Sequence, residues 1–217
     1  RVDAIKKGSL HTDELLHEVV HKVRGLRTER RVSHVLALDV PAYPRPLFMT
    51  DAAINIAPDL DTKRDIIINA IELVHALDIE RPRVAGLSAV DTVTSESETT
   101  LHAAALCKMA DRGQITGAVL DGPLGFDNAV SLEAAETKGI ESLVAGRADI
   151  LLVPDLESGN MLVKQLAYLA GAEAAGIVLG ARVPVVLTSR ADGVASRMAS
   201  SALAVLLVDH HRRSLTH

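Results

Sequence analysis

Two alternating periodicities constrain this chain more than any other feature. Short apolar runs rich in β-formers, at residues 32–40 (VSHVLALDV), 83–90, 115–121 and 149–154, recur along it, with two more near 176–179 and 184–188. Between them lie longer stretches with a 3.6-residue period. The clearest is 61–77 (DTKRDIIINAIELVHAL), which sets Ile67, Ile71 and Val74 on one face. Further helices are predicted over 98–112, 128–138 and 159–174, and from about residue 194. Strands separated by helices of this length predict βαβ units with right-handed crossovers. The expected class is α/β, three-layered, with mostly parallel sheets covered by helices on both faces.

Composition agrees with that class. Aromatics are 2% of the 217 residues and Trp is absent, so the core must be Ala, Val, Leu and Ile. Such a mixture suits helices packed on a parallel sheet. A net charge of −5 and a pI near 6.0 exclude a basic nucleic-acid footprint. One cysteine excludes an internal disulfide framework and fits a reducing cytoplasm. No apolar run approaches the ~18 residues of a membrane span, and RVDAIKKGSLHTDELL lacks a signal-peptide core. These first residues lack an initiator Met and look like the middle of a helix, so the chain is expected to continue a longer one. The tail HHRRSLTH has no core pattern and is expected to fray.

In open parallel sheets, ligands bind beyond the carboxyl ends of the strands, where helix N-termini present free N–H groups. The residues that follow the predicted strands are polar: Ser88 and Asp91, Asp121 with Asp127 and Asn128, Asp155 with Ser158 and Asn160, and Ser189, Arg190 and Asp192. Each alone has an ordinary explanation as a helix cap or turn. Together they predict a crevice on one shared sheet edge.

Other motifs carry less. His17-Glu18-Val19-Val20-His21 is an HExxH, a zinc pattern when helical. The continuation that would add a third histidine has Arg24 and Arg27 instead. Leu15, Leu16, Val19, Val20 and Val23 already explain the stretch as an amphipathic helix, so no metal is expected. Cys107, in HAAALCKMA, reads as a buried helical thiol. Neither GxGxxG nor GxxxxGK[ST] occurs.

The blocks KGSLHTDELL, LSAVDTV, LDGPLGFDNAVS, VPDLESGNMLVK and VPVVLTSRAD, in that order over nearly the whole chain, resemble the phosphate acetyltransferase and phosphate butyryltransferase family. The wording is closer to the butyryltransferase-like branch, which includes C-terminal halves of polypeptides fused to an enoyl-CoA hydratase-like segment. The resemblance implies an acyltransferase: acyl-CoA plus phosphate gives acyl phosphate plus CoA, with no further cofactor. It also implies a cytoplasmic homodimer of two-domain protomers with the site in the cleft. Residues 1–31 and 184–217 would belong to a discontinuous first domain, N-terminally incomplete here, and 32–183 to the second.

Carried over residue by residue, the resemblance makes Ser189 and Arg190 part of the site, with Arg190 as the phosphate clamp. Thr12 corresponds to a hydroxyl near the phosphate, and Asn160 to a cleft-facing residue of the second domain. Acetyltransferases of the family place an acidic residue seven positions after the serine, but Ser196 stands there. Asp192 is then either the thiol base or a helix cap. Two other possibilities stay open: a relative of the NAD-linked isocitrate or pyridoxine-precursor dehydrogenases, and a folded module that serves only in dimerisation.

Overall fold

The computed structural model describes residues 2–23, 25–188 and 193–214. Eight strands form one sheet: β1 (Ile5–Lys6), β2 (Ser33–Asp39), β3 (Leu47–Thr50), β4 (Arg83–Leu87), β5 (Val119–Leu124), β6 (Ile150–Leu152), β7 (Glu173–Leu179) and β8 (Val185–Val186). Their spatial order is β1-β8-β7-β2-β3-β6-β4-β5. The helices are α1 (Thr12–Val19), α2 (Leu60–His75), α3 (Glu98–Asp111), α4 (Phe126–Val130), α5 (Leu132–Thr137), α6 (Leu156–Leu169) and α7 (Val194–Ser214).

The expected three layers follow from strand alternation. Successive side chains point to opposite faces, so Ile150 and Leu152 join one core while Leu151 joins the other. The first core takes in Ile66, Ile67, Ala70 and Ile71 of α2, Leu106 of α3, and Leu203, Ala204 and Leu207 of α7. The second takes in Ala129 of α4 and Ala135 of α5, with Leu162 and Leu166 of α6 packed against it. Val19 of α1 packs on Val178 and Val185.

Strand direction departs from the simplest expectation. Pairs β3·β6, β4·β6, β4·β5 and β1·β8 are parallel, whereas β2 is antiparallel to both β3 and β7, and β7 is antiparallel to β8. Strands β3 to β7 therefore all run one way, and β1, β2 and β8 the other. The polar segments after the strands consequently divide between two opposite edges. The segments after β4, β5 and β6 share one edge, but the chain leaves β8 at the other. The expectation of a single shared edge is corrected by this topology.

Several boundaries also moved. The N-terminal residues contain a strand, β1, where a helix was expected, because Ile5 and Lys7 donate to Pro184 and Val186 (both 3.0 Å). The helix predicted over 128–138 is broken at Ser131, whose hydroxyl caps α5 by accepting from the Ala134 amide. The helix predicted through residue 174 ends at Leu169, and Gly171 takes φ +67°, the left-handed conformation that glycine adopts at helix ends. The tail remains helical to Ser214, where His211 reaches Glu72 and Arg212 reaches Asp3.

Candidate functional site

At the edge where β3, β4, β5 and β6 end, most of the polar side chains are bonded to their own surroundings. Asp51, buried beyond β3, accepts from the amides of Ala53, Ile54 and Asn55 (3.0–3.1 Å) and from Asn55 Nδ2 (2.6 Å). Beyond β4, the Ser88 hydroxyl meets Thr99 at 2.7 Å, and Thr99 meets Ser97 at 2.9 Å. Asp121 accepts from the Gly122 amide, and Asp91 pairs with Lys138 at 3.1 Å.

The segment after β6 is built the same way. Asp155 caps α6 by accepting from the Ser158 amide and hydroxyl (both 2.8 Å). Asn160 donates to the Ala52 carbonyl (3.3 Å), beside Gly159, where a Cβ would come within 2.6 Å of Val153. Caps, a hydroxyl chain and an ion pair thus engage most of the residues singled out here, while the buried Asn128 Oδ1 has no hydrogen-bond partner among the described residues.

The same edge holds a feature that sequence reasoning missed. Lys63, in the first turn of α2, is only 4% exposed. Its Nζ lies 3.2 Å from His102 Nδ1 on α3, against a cavity of about 10 Å³, space for one water. Burial pulls the Lys63 amine below its ordinary value, with Glu98 and Asp155 opposing the change. Burial and the neighbouring Lys63 lower His102 as well. The signal was the spacing: Lys63 stands four residues before Ile67, on the apolar face of α2.

The opposite edge collects the carboxyl ends of β1, β2 and β8. Lys7 follows β1 and hydrogen-bonds Val186 through its amide, and its Nζ donates to the Leu10 carbonyl (3.2 Å). Lys6 Nζ donates to Ser201 on α7 (3.2 Å). Thr12 opens α1 after the short loop beyond Lys7 and is exposed. Ser189, Arg190 and Asp192 lie outside the described residues. Of their neighbours, Thr188 follows β8 and Gly193 precedes α7, both at this edge. Thr12 therefore belongs to the same end of the sheet as Thr188 and Gly193. Asn160 belongs to the other, a strand length away, about 20 Å for seven residues.

Helix α7 docks here through small side chains. β8 pairs with β7 only at Val178↔Val185, which leaves the next polar groups of the β7 edge without a strand partner. Ser196 donates to the Ala174 carbonyl (2.5 Å), and Ser200 accepts from the Gly176 amide (3.0 Å). Ser196 is thereby committed to a backbone bond. Beside this seam a groove of about 340 Å³ opens between α7 and the ends of β2 and β7. Its floor includes Ala37 and Ala175, its wall Ala199 and Leu206, and its lip Asp39 and Glu173.

Two further sequence features take their places. Helix α1 ends at Val19, so His21 stands outside it and the HExxH does not present both histidines on one helical face; the rings stand 6.4 Å apart, centre to centre. Cys107 is half-buried on α3, 3.8 Å from the Gly122 carbonyl, and burial pushes its thiol up to about 12. That disfavours the nucleophilic thiolate.

Known proteins resemble the chain along its length. A phosphate acetyltransferase of Rhizobium meliloti is 62% identical over 98% of this chain and 67% of its own length. A phosphate butyryltransferase of Clostridium acetobutylicum is 45% identical over 95% of this chain and 69% of its own. Identity is thus higher to the protein named for acetyl than to the one named for butyryl. The crystal structure of a branched-chain phosphotransacylase from Enterococcus faecalis V583 superposes with a TM-score of 0.86 at 34% identity, covering 95% of this chain and 74% of that one. The chain spans only 61–62% of three other curated relatives. The family described as "Phosphate acetyl/butaryl transferase" matches residues 1–205, and the chain belongs to that family.

Proposed function

We propose that the protein transfers a short acyl group, acetyl or butyryl, between coenzyme A and inorganic phosphate, with no cofactor beyond these substrates. Family membership supports the reaction class. The observation that supports this reading of the site is the parallel pairing of β1 with β8, Ile5↔Val185 and Lys6↔Val186. It brings the start of α1, with Thr12, to the edge at which Thr188 follows β8. These relatives do not favour the dehydrogenase alternative.

In the proposed reaction, the thiolate sulfur of CoA attacks the carbonyl carbon of the acyl phosphate. A C–S bond forms, the C–O bond to phosphorus breaks, and phosphate leaves with the electron pair; the reverse direction uses the same groups. Arg190 grips the phosphate through two oxygens at once, as a guanidinium can. Ser189 and Thr12 donate hydrogen bonds to acyl or phosphate oxygens, where charge develops. Asp192 takes the thiol proton, or else caps α7 and leaves that proton to solvent. Asn160, bonded to Ala52 at the far edge, is in this reading a structural residue.

The division into 1–31 with 184–217, and 32–183, is retained as a proposal. It groups β1 and β8, which adjoin in the sheet order, with helices α1 and α7. A cytoplasmic homodimer is proposed on the resemblance. The uncovered apolar face of α6, with Met161, Tyr168 and Leu169 all exposed, offers a surface for it. The reading is tested by following CoA thiol release from acetyl-CoA and butyryl-CoA with the full-length protein. Release that depends on added phosphate is expected; its absence would sink the acyltransferase reading. Running the 217-residue chain beside it shows whether this part alone is competent or serves only in association.

A further inference from the structure

We propose that the alanine-floored groove beside α7 holds the acyl chain of the thioester, and that Ala199 and Leu206 set the chain length it accepts. The inference rests on the acyl-transfer reading above and names the part of the substrate this surface recognises.

Position comes first. The wall of the groove is α7 from Ala195 onward, the helix that directly follows the Ser-Arg motif in the chain. Its floor exists because the cross-strand partners Ala37 and Ala175 are both alanine. Larger residues there would fill the space. At about 340 Å³ the groove falls within the range of small-molecule sites, about 300–1,000 Å³.

Chemistry comes second. The wall and floor residues carry no polar side-chain atoms apart from Ser196, and its hydroxyl already donates to the Ala174 carbonyl. Such a surface offers a phosphate no hydrogen-bond donor, and gives apolar contact to methylenes. The lip adds direction. Asp39 and Glu173 face each other as cross-strand partners, both exposed, with no ion pair shown for either among the described residues. Like charges so placed repel, and they repel the phosphates of CoA equally. The anionic part of the substrate is therefore turned away from this mouth, and its uncharged tail is free to enter.

Burying one methylene is worth about fourfold in affinity, so the two extra carbons of butyryl over acetyl are worth on the order of tenfold. The experiment measures kcat/KM for acetyl-CoA, butyryl-CoA and hexanoyl-CoA with the full-length protein and two variants. Ala199→Leu, an exposed position that should tolerate the change, is expected to lower the butyryl-to-acetyl ratio on the order of tenfold. Leu206→Ala lengthens the groove and is expected to raise the hexanoyl-to-butyryl ratio.

Ratios unchanged in both variants would overturn the proposal, and would leave the groove to packing against another segment of the longer protein. If wild-type protein turns over no thioester, the acyltransferase reading has failed and equilibrium binding decides the groove separately. Tighter binding of butyryl-CoA than acetyl-CoA, with the difference abolished by Ala199→Leu, supports it; equal binding overturns it. Should Ala199→Leu not fold, Leu206→Ala decides by the same ratios.

Discussion

The two edges of the sheet differ in how they use polar residues. Where β3 to β6 end, most carboxylates and hydroxyls are bound to one another or to the backbone: Asp51 holds a turn, Asp155 caps a helix, and Ser88 joins a hydroxyl chain through Thr99. Where β1, β2 and β8 end, lysines and Thr12 stand at the surface and a groove lies open beside α7. A sealed edge contributes stability and an open one contributes binding. An excess of polar residues after strands does not by itself tell the two apart, because both kinds of edge need them.

The largest loss at the edge where β3 to β6 end is expected at Asp51. Removing its carboxylate in Asp51→Ala strands four donors in a buried turn, and a loss of about 3 kcal/mol or more is expected. Urea unfolding would measure it. A loss below 1 kcal/mol would mean that this edge is not held as described. Asp155→Ala should remove about 1 kcal/mol, the usual worth of an N-cap, with Asp155→Ser restoring most of it.

Lys63 makes the stability of the same edge depend on pH. A buried amine whose pKa is lowered binds its proton less well in the fold than in the unfolded chain. Between the lowered value and the ordinary 10.5, the unfolded state therefore holds more protons, and stability rises with pH across that window. It falls again as pH drops through the same window. Lys63→Met should flatten this dependence in denaturant titrations at successive pH values; an unchanged slope would contradict the assignment. The smallest effect concerns Cys107. With its thiol near 12, about one molecule in ten thousand carries the thiolate at pH 8, so iodoacetamide should label it at measurable rates only on unfolding.

Much of the fold was legible because it rests on local period. The strand near Val35, the helix through Ile67, Ile71 and Val74, and the helix from Val194 stand where the pattern placed them. β3 was missed because its four residues, LFMT, follow a stretch with Pro41, Pro44 and Pro46 that reads as loop. β1 was missed because two residues show no period. The site was harder to read for a different reason. Strand direction is a property of the whole sheet, so no local pattern reveals that β2 reverses between β3 and β7 and sends β8 the other way. With the sheet taken as mostly parallel, the segments after β4, β5, β6 and β8 were expected to share one edge. The groove was invisible in sequence because alanines at 37, 175 and 199 read as ordinary core and helix residues.

The most direct test compares Arg190 and Asn160 in the full-length protein, by phosphate-dependent thiol release from acyl-CoA. If transfer takes place at the edge where β1 and β8 end, Arg190→Ala lowers kcat/KM by about 100-fold or more, while Asn160→Ala changes it by less than about threefold, within the range of a surface substitution. An Asn160→Ala loss as large as that of Arg190→Ala would contradict the account and return the reaction to the opposite edge.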